Sequence, residues 1–239
     1  MGFFDVFTNR DDEDERVIKP NAAVRSKMAV PKEAFPAAGT DGWDAIIKEF
    51  ERAYPGQKRP KFYKTPLRWV DGGNDPLDGI CVYDGGDYWH FVGLGLSELY
   101  GKVTDDPHKS GWGMEFTFKL KKFHYENEEL EFECVRGVLQ SLARVTARRG
   151  EIFEPYQCIF TGQKTGIDAY QKSNLKGLIT VPDSAVNTIE TPNGEVEFVS
   201  FVGMTNAELS KINSEQDVRE IYEMLGTDVT DYHRKSLVD

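Results

Sequence analysis

Apolar positions at Trp43, Ile46, Ile47, Phe50 and Tyr54 recur at helical spacing. They predict a helix that opens at Thr40 or Asp41, both good N-caps, and stops at Pro55-Gly56. Short extended runs follow at Leu67–Val70, Gly79–Tyr83 and Trp89–Leu96, separated by the turn-rich stretches DGGNDPLDG and DGGD. Met114, Phe116, Phe118 and Leu120 then alternate with Glu115, Thr117 and Lys119. Strict period-2 alternation predicts a strand with the first set in the core and the second on a solvated face. Leu130, Val135, Val138, Leu139, Leu142 and Val145 return to helical spacing and end at Gly150, a C-cap position. Further strands are predicted at Gln157–Phe160, Gly177–Val181 and Glu195–Val202, the last preceded by the turn Pro192-Asn193-Gly194. Two helices close the chain, each announced by a capping-box pattern: Thr205 with Glu208, and Ser214 with Asp217. Strands, one long helix, more strands and two terminal helices predict an α+β fold, a mixed and mainly antiparallel sheet flanked by helices.

Before Thr40 no period is sustained. Residues 1–39 combine an acidic run, Asp11 to Glu15, with Pro20, Pro31 and Pro36, and read as a partly flexible N-terminal extension to one domain over 40–239. Phe3, Phe4 and Phe7 are its exception, an apolar turn able to dock on the body or on another protein. The whole chain has 239 residues and a formal charge of -11, which disfavours nucleic acid or an anionic membrane as the main partner. Arg144, Arg148 and Arg149 stand out as a basic stretch, at the end of the long helix. Cys81, Cys134 and Cys158 are odd in number and widely spaced, arguing against a disulfide framework and for a reducing, cytoplasmic setting. No apolar run approaches the length of a spanning helix, and the N-terminus lacks the pattern of a secretory signal.

Candidate chemistry is sparse. His90, His108, His124 and His233 lie too far apart for a short metal motif, and His90, between Trp89 and Phe91, reads as a hydrogen-bonded structural histidine. Dinucleotide, P-loop and nucleophile-elbow motifs are absent, so neither a cofactor nor a metal is expected. Glu98 and Glu115 are the best candidates for a carboxylate pair, yet spacing alone assigns them no role. An enzyme is the lesser reading. Glycine density stands out instead: Gly93, Gly95, Gly101, Gly111 and Gly113 sit among Trp89, Phe91, Tyr100, Trp112 and Phe116. Two readings stay open there, core packing around bulges, and a groove or sheet edge that accepts a peptide. The turn Asp105-Asp106-Pro107 places a loop in this segment, so a partner-binding site is predicted around Tyr100, Asp105, Asp106 and Trp112, aromatic anchors with an acidic rim. Core packing is the competing role for Tyr100 and for Trp112.

The phrases HFVGLGLSELYG (His90 to Gly101) and SGWGMEFTFKLKK (Ser110 to Lys122) resemble those of the Suppressor of fused family. Matches extend outward through AIIKEFERAYPGQ, GGNDPLDGICVY, LQSLAR and TPNGEVEFVSFVGMTNAELSKIN, so the resemblance runs from Trp43 to the C-terminus. It implies a single α+β domain of a non-enzymatic, protein-binding kind. Eukaryotic members sequester transcription factors by clamping an extended peptide between two domains, of which this chain matches the first. Bacterial relatives are grouped with the SUKH superfamily of inferred immunity proteins, and this chain looks bacterial. Its expected function is therefore binding and occlusion of a protein, such as a basic toxin, with capture of an extended peptide from an endogenous partner as the alternative. Where the family uses a tyrosine in the long helix and an aspartate in the next strand region for the peptide, this chain has Val145 and Gln157. The resemblance thus carries the fold and the binding role, not that ligand.

Overall fold

The structure, a computed structural model, describes residues 39–238. The extension up to residue 38, with Phe3, Phe4 and Phe7, lies outside the described residues. Helix α1 (Asp41–Ala53) is followed by strands β1 (Lys61–Lys64), β2 (Gly79–Asp84), β3 (Tyr88–Leu94) and β4 (Lys109–Lys121). Next come helix α2 (Glu128–Arg149), strands β5 (Cys158–Phe160), β6 (Leu175–Pro182), β7 (Ile189–Thr191) and β8 (Gly194–Thr205), helices α3 (Asn206–Leu209) and α4 (Glu215–Leu225), and strand β9 (Val229–Thr230). The strands form one sheet in the order β1-β2-β3-β4-β8-β6-β5, with β7 paired to β8 and β9 to β4. Pairing is antiparallel except between β4 and β8 and between β4 and β9. This is the mixed, mainly antiparallel α+β architecture expected from the pattern.

Thr40 stands at the N-cap of α1 without a side-chain cap bond, its hydroxyl donating to Asp44 Oδ2 at 2.9 Å, whereas the other caps act on their helices. Asn127 accepts a hydrogen bond from the Leu130 N–H to open α2, Gly150 closes it at φ 72°, and both terminal helices carry complete capping boxes. One expected strand moves: Leu67–Val70 is not extended but leads into a 3-10 turn, Trp69–Asp71, and the strand lies earlier at Lys61–Lys64. Its KFYK sequence carries two charges in four residues, because an edge strand has solvent on one side and needs no apolar run.

The inward residues of β4 behave as predicted. Met114, Phe116, Phe118 and Leu120 are buried under α2, together with Phe132, Val135, Leu139 and Leu142 from that helix. The opposite face departs from expectation: Glu115, Thr117 and Lys119 are fully buried rather than solvated. Two covers close that side of the sheet. Over β2, β3 and the start of β8, α1 packs Ile46 and Phe50 against Tyr83, Val92 and Phe198. Over β6 and the end of β8, Leu209 of α3 and Val218 and Ile221 of α4 pack against Ile179, Val181, Val202 and Met204. The polar residues of β4 fall in the seam between these two apolar patches. A charged alternation therefore marks a buried seam here, not water.

Candidate protein-interaction site

The glycine-rich segment is built around two carboxylates. Glu115 Oε1 accepts from the N–H groups of Gly95 and Ser97, both at 2.9 Å, and from Ser97 Oγ at 2.6 Å, while Oε2 accepts from the Leu96 N–H at 3.3 Å. Burial pushes the Glu115 carboxyl up to about 7, against the opposing pull of these donors. Glu98 Oε1 accepts from the Val103 and Thr104 N–H groups at 2.6 Å, and Lys102 pairs with Oε2 at 2.9 Å. Each carboxylate is taken up by its own loop, so the two do not form a pair for acid–base work. Backbone crowding explains the glycines. A Cβ on Gly95, at φ 146°, would lie 2.5 Å from the Pro76 carbonyl, and one on Gly111, at φ 58°, 2.6 Å from that of Leu96. Replacing Glu115 by Gln turns an amide NH2 toward backbone N–H groups, and unfolding in urea should show a loss of about 1–3 kcal/mol. A loss below about 0.5 kcal/mol would mean the loop does not depend on this carboxylate.

The four residues singled out from the sequence divide by environment. Tyr100 is half-buried, and its hydroxyl donates to Asp78 Oδ2 at 2.6 Å beside Arg68, whose Nη1 reaches the same oxygen at 3.2 Å. Burial first, then this hydrogen bond, pushes the phenol up to about 12. Trp112 is half-buried against the core under α2, its backbone N–H donating to the Leu96 carbonyl at 2.9 Å. Asp105 and Asp106 are exposed, and Asp106 Oδ1 accepts from the N–H groups of His108 at 2.8 Å and Lys109 at 3.3 Å, turning the chain into β4. Framework roles thus account for Tyr100, Trp112 and Asp106, with Asp105 left on the loop surface.

A denser polar cluster fills the seam. Asp183 accepts from Thr117 Oγ1 at 2.6 Å and Lys119 Nζ at 2.9 Å, and its Oδ2 lies 2.8 Å from His90 Nε2. Lys119 also pairs with Asp228 at 2.5 Å, and His90 Nδ1 meets the Tyr54 hydroxyl at 2.7 Å. Burial alone would raise the Asp183 carboxyl, but His90 and Lys119 hold it far below the usual carboxylate range. These groups are closed off from solvent, so the cluster braces the sheet and offers no substrate a way in. Among the described residues, no group of His, Cys, Asp and Glu is arranged to hold a metal ion, and no helix is long and apolar enough to cross a membrane.

The margins of the sheet leave strand edges and large side chains exposed among the described residues. Among the described residues, strand β5 has a partner, β6, on one side only. Phe160 is 64% exposed there, and Ile152 just upstream is also exposed. Side chains alternate along the strand, so Ile159 packs into the core under α2 while Cys158 and Phe160 face the α4 side. Gln157 immediately precedes this strand, and Val145 packs from α2 against the core. Beside the start of α2 a pocket of about 200 Å³ is lined by Glu126, Glu131 and Asp168, by His124, Lys172 and His233, and by aromatic rings. At the opposite margin, β1 is paired only with β2 among the described residues. There the sequence reading missed the densest cationic stretch: Lys58, Arg59, Lys61 and Lys64, four cations in seven residues. That signal was legible in the sequence. Phe160 carried none, since an apolar residue at strand spacing reads as core.

The family model of the Suppressor of fused protein matches residues 73–235, more than half of the chain. Suppressor of fused homologs of Homo sapiens and Mus musculus are each 28% identical over 184 residues, covering 70% of this chain and 36% of theirs. The chain therefore spans about a third of the curated relatives it matches. Among solved structures, a chain of the Sufu–Fu complex superimposes with a TM-score of 0.70 at 28% identity, over 82% of this chain and 92% of that one. Drosophila Suppressor of Fused gives 0.69 at 27% identity, over 82% and 51%. A SUFU homolog from Neisseria gonorrhoeae shares the fold, with a TM-score of 0.55 at 16% identity, over 84% and 99%.

Proposed function

The chain belongs to the Suppressor of fused family, and from that premise we propose that it is a non-enzymatic, cytoplasmic protein-binding module that captures an extended segment of a partner at the β5 edge. The observation that carries this reading is an unpaired edge strand bearing an exposed phenylalanine. Backbone groups on such an edge pair with an added strand, and an aromatic beside it supplies the anchor. A relative solved in a Sufu–Fu complex supports a protein as the partner. Three free thiols suit a reducing compartment. Neutralisation of a basic toxin by occlusion is a second reading, favoured by the chain's net charge of -11.

A photo-crosslinking residue placed at Phe160 in the native cell tests the reading. One defined protein should be captured, and Phe160→Asp should lower its recovery from lysate about 10-fold or more, as loss of a central aromatic anchor does. Peptide mapping of the captured partner separates the two readings, since an extended segment marks the first and a folded basic domain the second. Equal recovery by wild type and Phe160→Asp would move the site away from β5.

A further inference from the structure

The opposite edge of the sheet carries a second site. Between the loop that follows α1 and the β2–β3 hairpin, a groove of about 520 Å³ is lined by Lys58, Arg59, Lys61, Val82, Asp84 and Trp89. Lys58, Arg59, Lys61 and Lys64 are all exposed, and none takes part in an ion pair within 4.0 Å among the described residues. Lys61 instead lies over the rings of Trp89, at 5.2 Å, and Phe132, at 4.7 Å. The carboxylates at and around the groove each have a partner of their own. Asp84 pairs with Lys122, Asp71 with Arg68, Glu128 accepts from Trp89 Nε1, and Glu129 accepts from the Tyr63 hydroxyl. A cluster of unpaired cations over an apolar floor, on a chain of net charge -11, is a local reversal of sign that selects a short acidic ligand. Long polyanions would meet repulsion from the rest of the surface.

We propose that this groove binds an acidic peptide segment, and that its occupant in the resting chain is the chain's own run Asp11–Glu15. Three observations converge on that occupant. Asp-Asp-Glu-Asp-Glu places five carboxylates in five residues, against four cations in seven. Phe3, Phe4 and Phe7 stand just before the run, as apolar partners for a floor of Val82 and Trp89. The tether is ample, because the 24 residues from Arg16 to Gly39 can span roughly 80 Å when extended. The described chain begins beside this edge, where Trp43 of α1 meets Phe62 of β1 edge-to-face at 5.5 Å. Docking in cis makes the extension a built-in competitor for acidic ligands at β1, a role independent of the β5 edge.

Hydrogen exchange of the full chain tests this. An effective concentration on the order of 1 mM, against a dissociation constant about tenfold lower, should slow exchange in 57–64 about tenfold. Changing Asp11, Asp12 and Asp14 to Asn and Glu13 and Glu15 to Gln should release that protection without altering exchange in the core strands. Salt at about 0.5 M should release it in the wild type. Lys58→Glu combined with Arg59→Glu should match the neutralised chain, and a synthetic peptide of residues 1–18 should restore protection to it. Identical exchange in wild type and neutralised chain would overturn the proposal. Protection that grows with protein concentration would overturn it too, by assigning the groove to a second copy.

Discussion

Replacing Lys119 by Met should destabilise the protein by about 3–5 kcal/mol at neutral pH, the loss expected when one partner of a buried ion cluster is removed. Methionine keeps the aliphatic stem and deletes only the ammonium, which in the native chain sits 2.9 Å from Asp183 and 2.5 Å from Asp228. Both carboxylates would then be buried without that ammonium, with His90 Nε2 still 2.8 Å from Asp183. The pH dependence gives the prediction its sign. In the wild type the Asp183 carboxyl is held below its unfolded value, so its contribution is present above roughly pH 4 and is lost as pH falls. In the variant Asp183 loses the lysine that helps hold its carboxyl down, so its protonation relieves the site at a higher pH, and the difference between the two proteins should shrink as pH drops toward about 4. Glu115 is common to both, so its own titration cancels in that difference. Urea unfolding of both proteins at about pH 7 and 4.5 measures it. A neutral-pH loss under about 1 kcal/mol, or one that does not change with pH, would mean the seam is not organised by this lysine.

Phe116→Ala should cost a similar amount, about 3–5 kcal/mol, through a different mechanism. The ring is fully buried and meets Phe153 at 5.5 Å and Phe201 at 4.9 Å, both edge-to-face, so truncation opens a void between aromatics on three separate segments. Those neighbours are held by β8 and by the chain before β5, and a rigid surround collapses little into the space. The melting temperature should fall by roughly 10 °C for a chain of this size. Unlike Lys119→Met, the loss should be the same at either pH, since no titrating group is left unpaired. A loss under about 1 kcal/mol would show that the α2 side of the sheet repacks around the vacancy.

The two variants sit on opposite faces of one strand, and only one face was read correctly from the sequence. Burial of Met114, Phe116, Phe118 and Leu120 follows from side-chain alternation alone. The caps were legible for the same reason: Thr205 with Glu208, Ser214 with Asp217, and Gly150 at the end of α2 act on neighbours within a few residues. The motif phrases were also legible, and the structure gives them a cause, since Glu115 in one phrase holds the backbone of Gly95, Leu96 and Ser97 in the other.

What the sequence determined by itself was therefore local: the periods, the caps, the acidic balance and the family phrases. Tertiary structure alone decided the rest. Lys119 reads as solvated until Asp183, 64 residues on, and Asp228, 109 residues on, close around it. Phe160 reads as core until the strand order leaves β5 at an edge. An apolar or charged side chain carries the same local pattern whether its far side meets protein or water, and that choice depends on which distant segment packs against it.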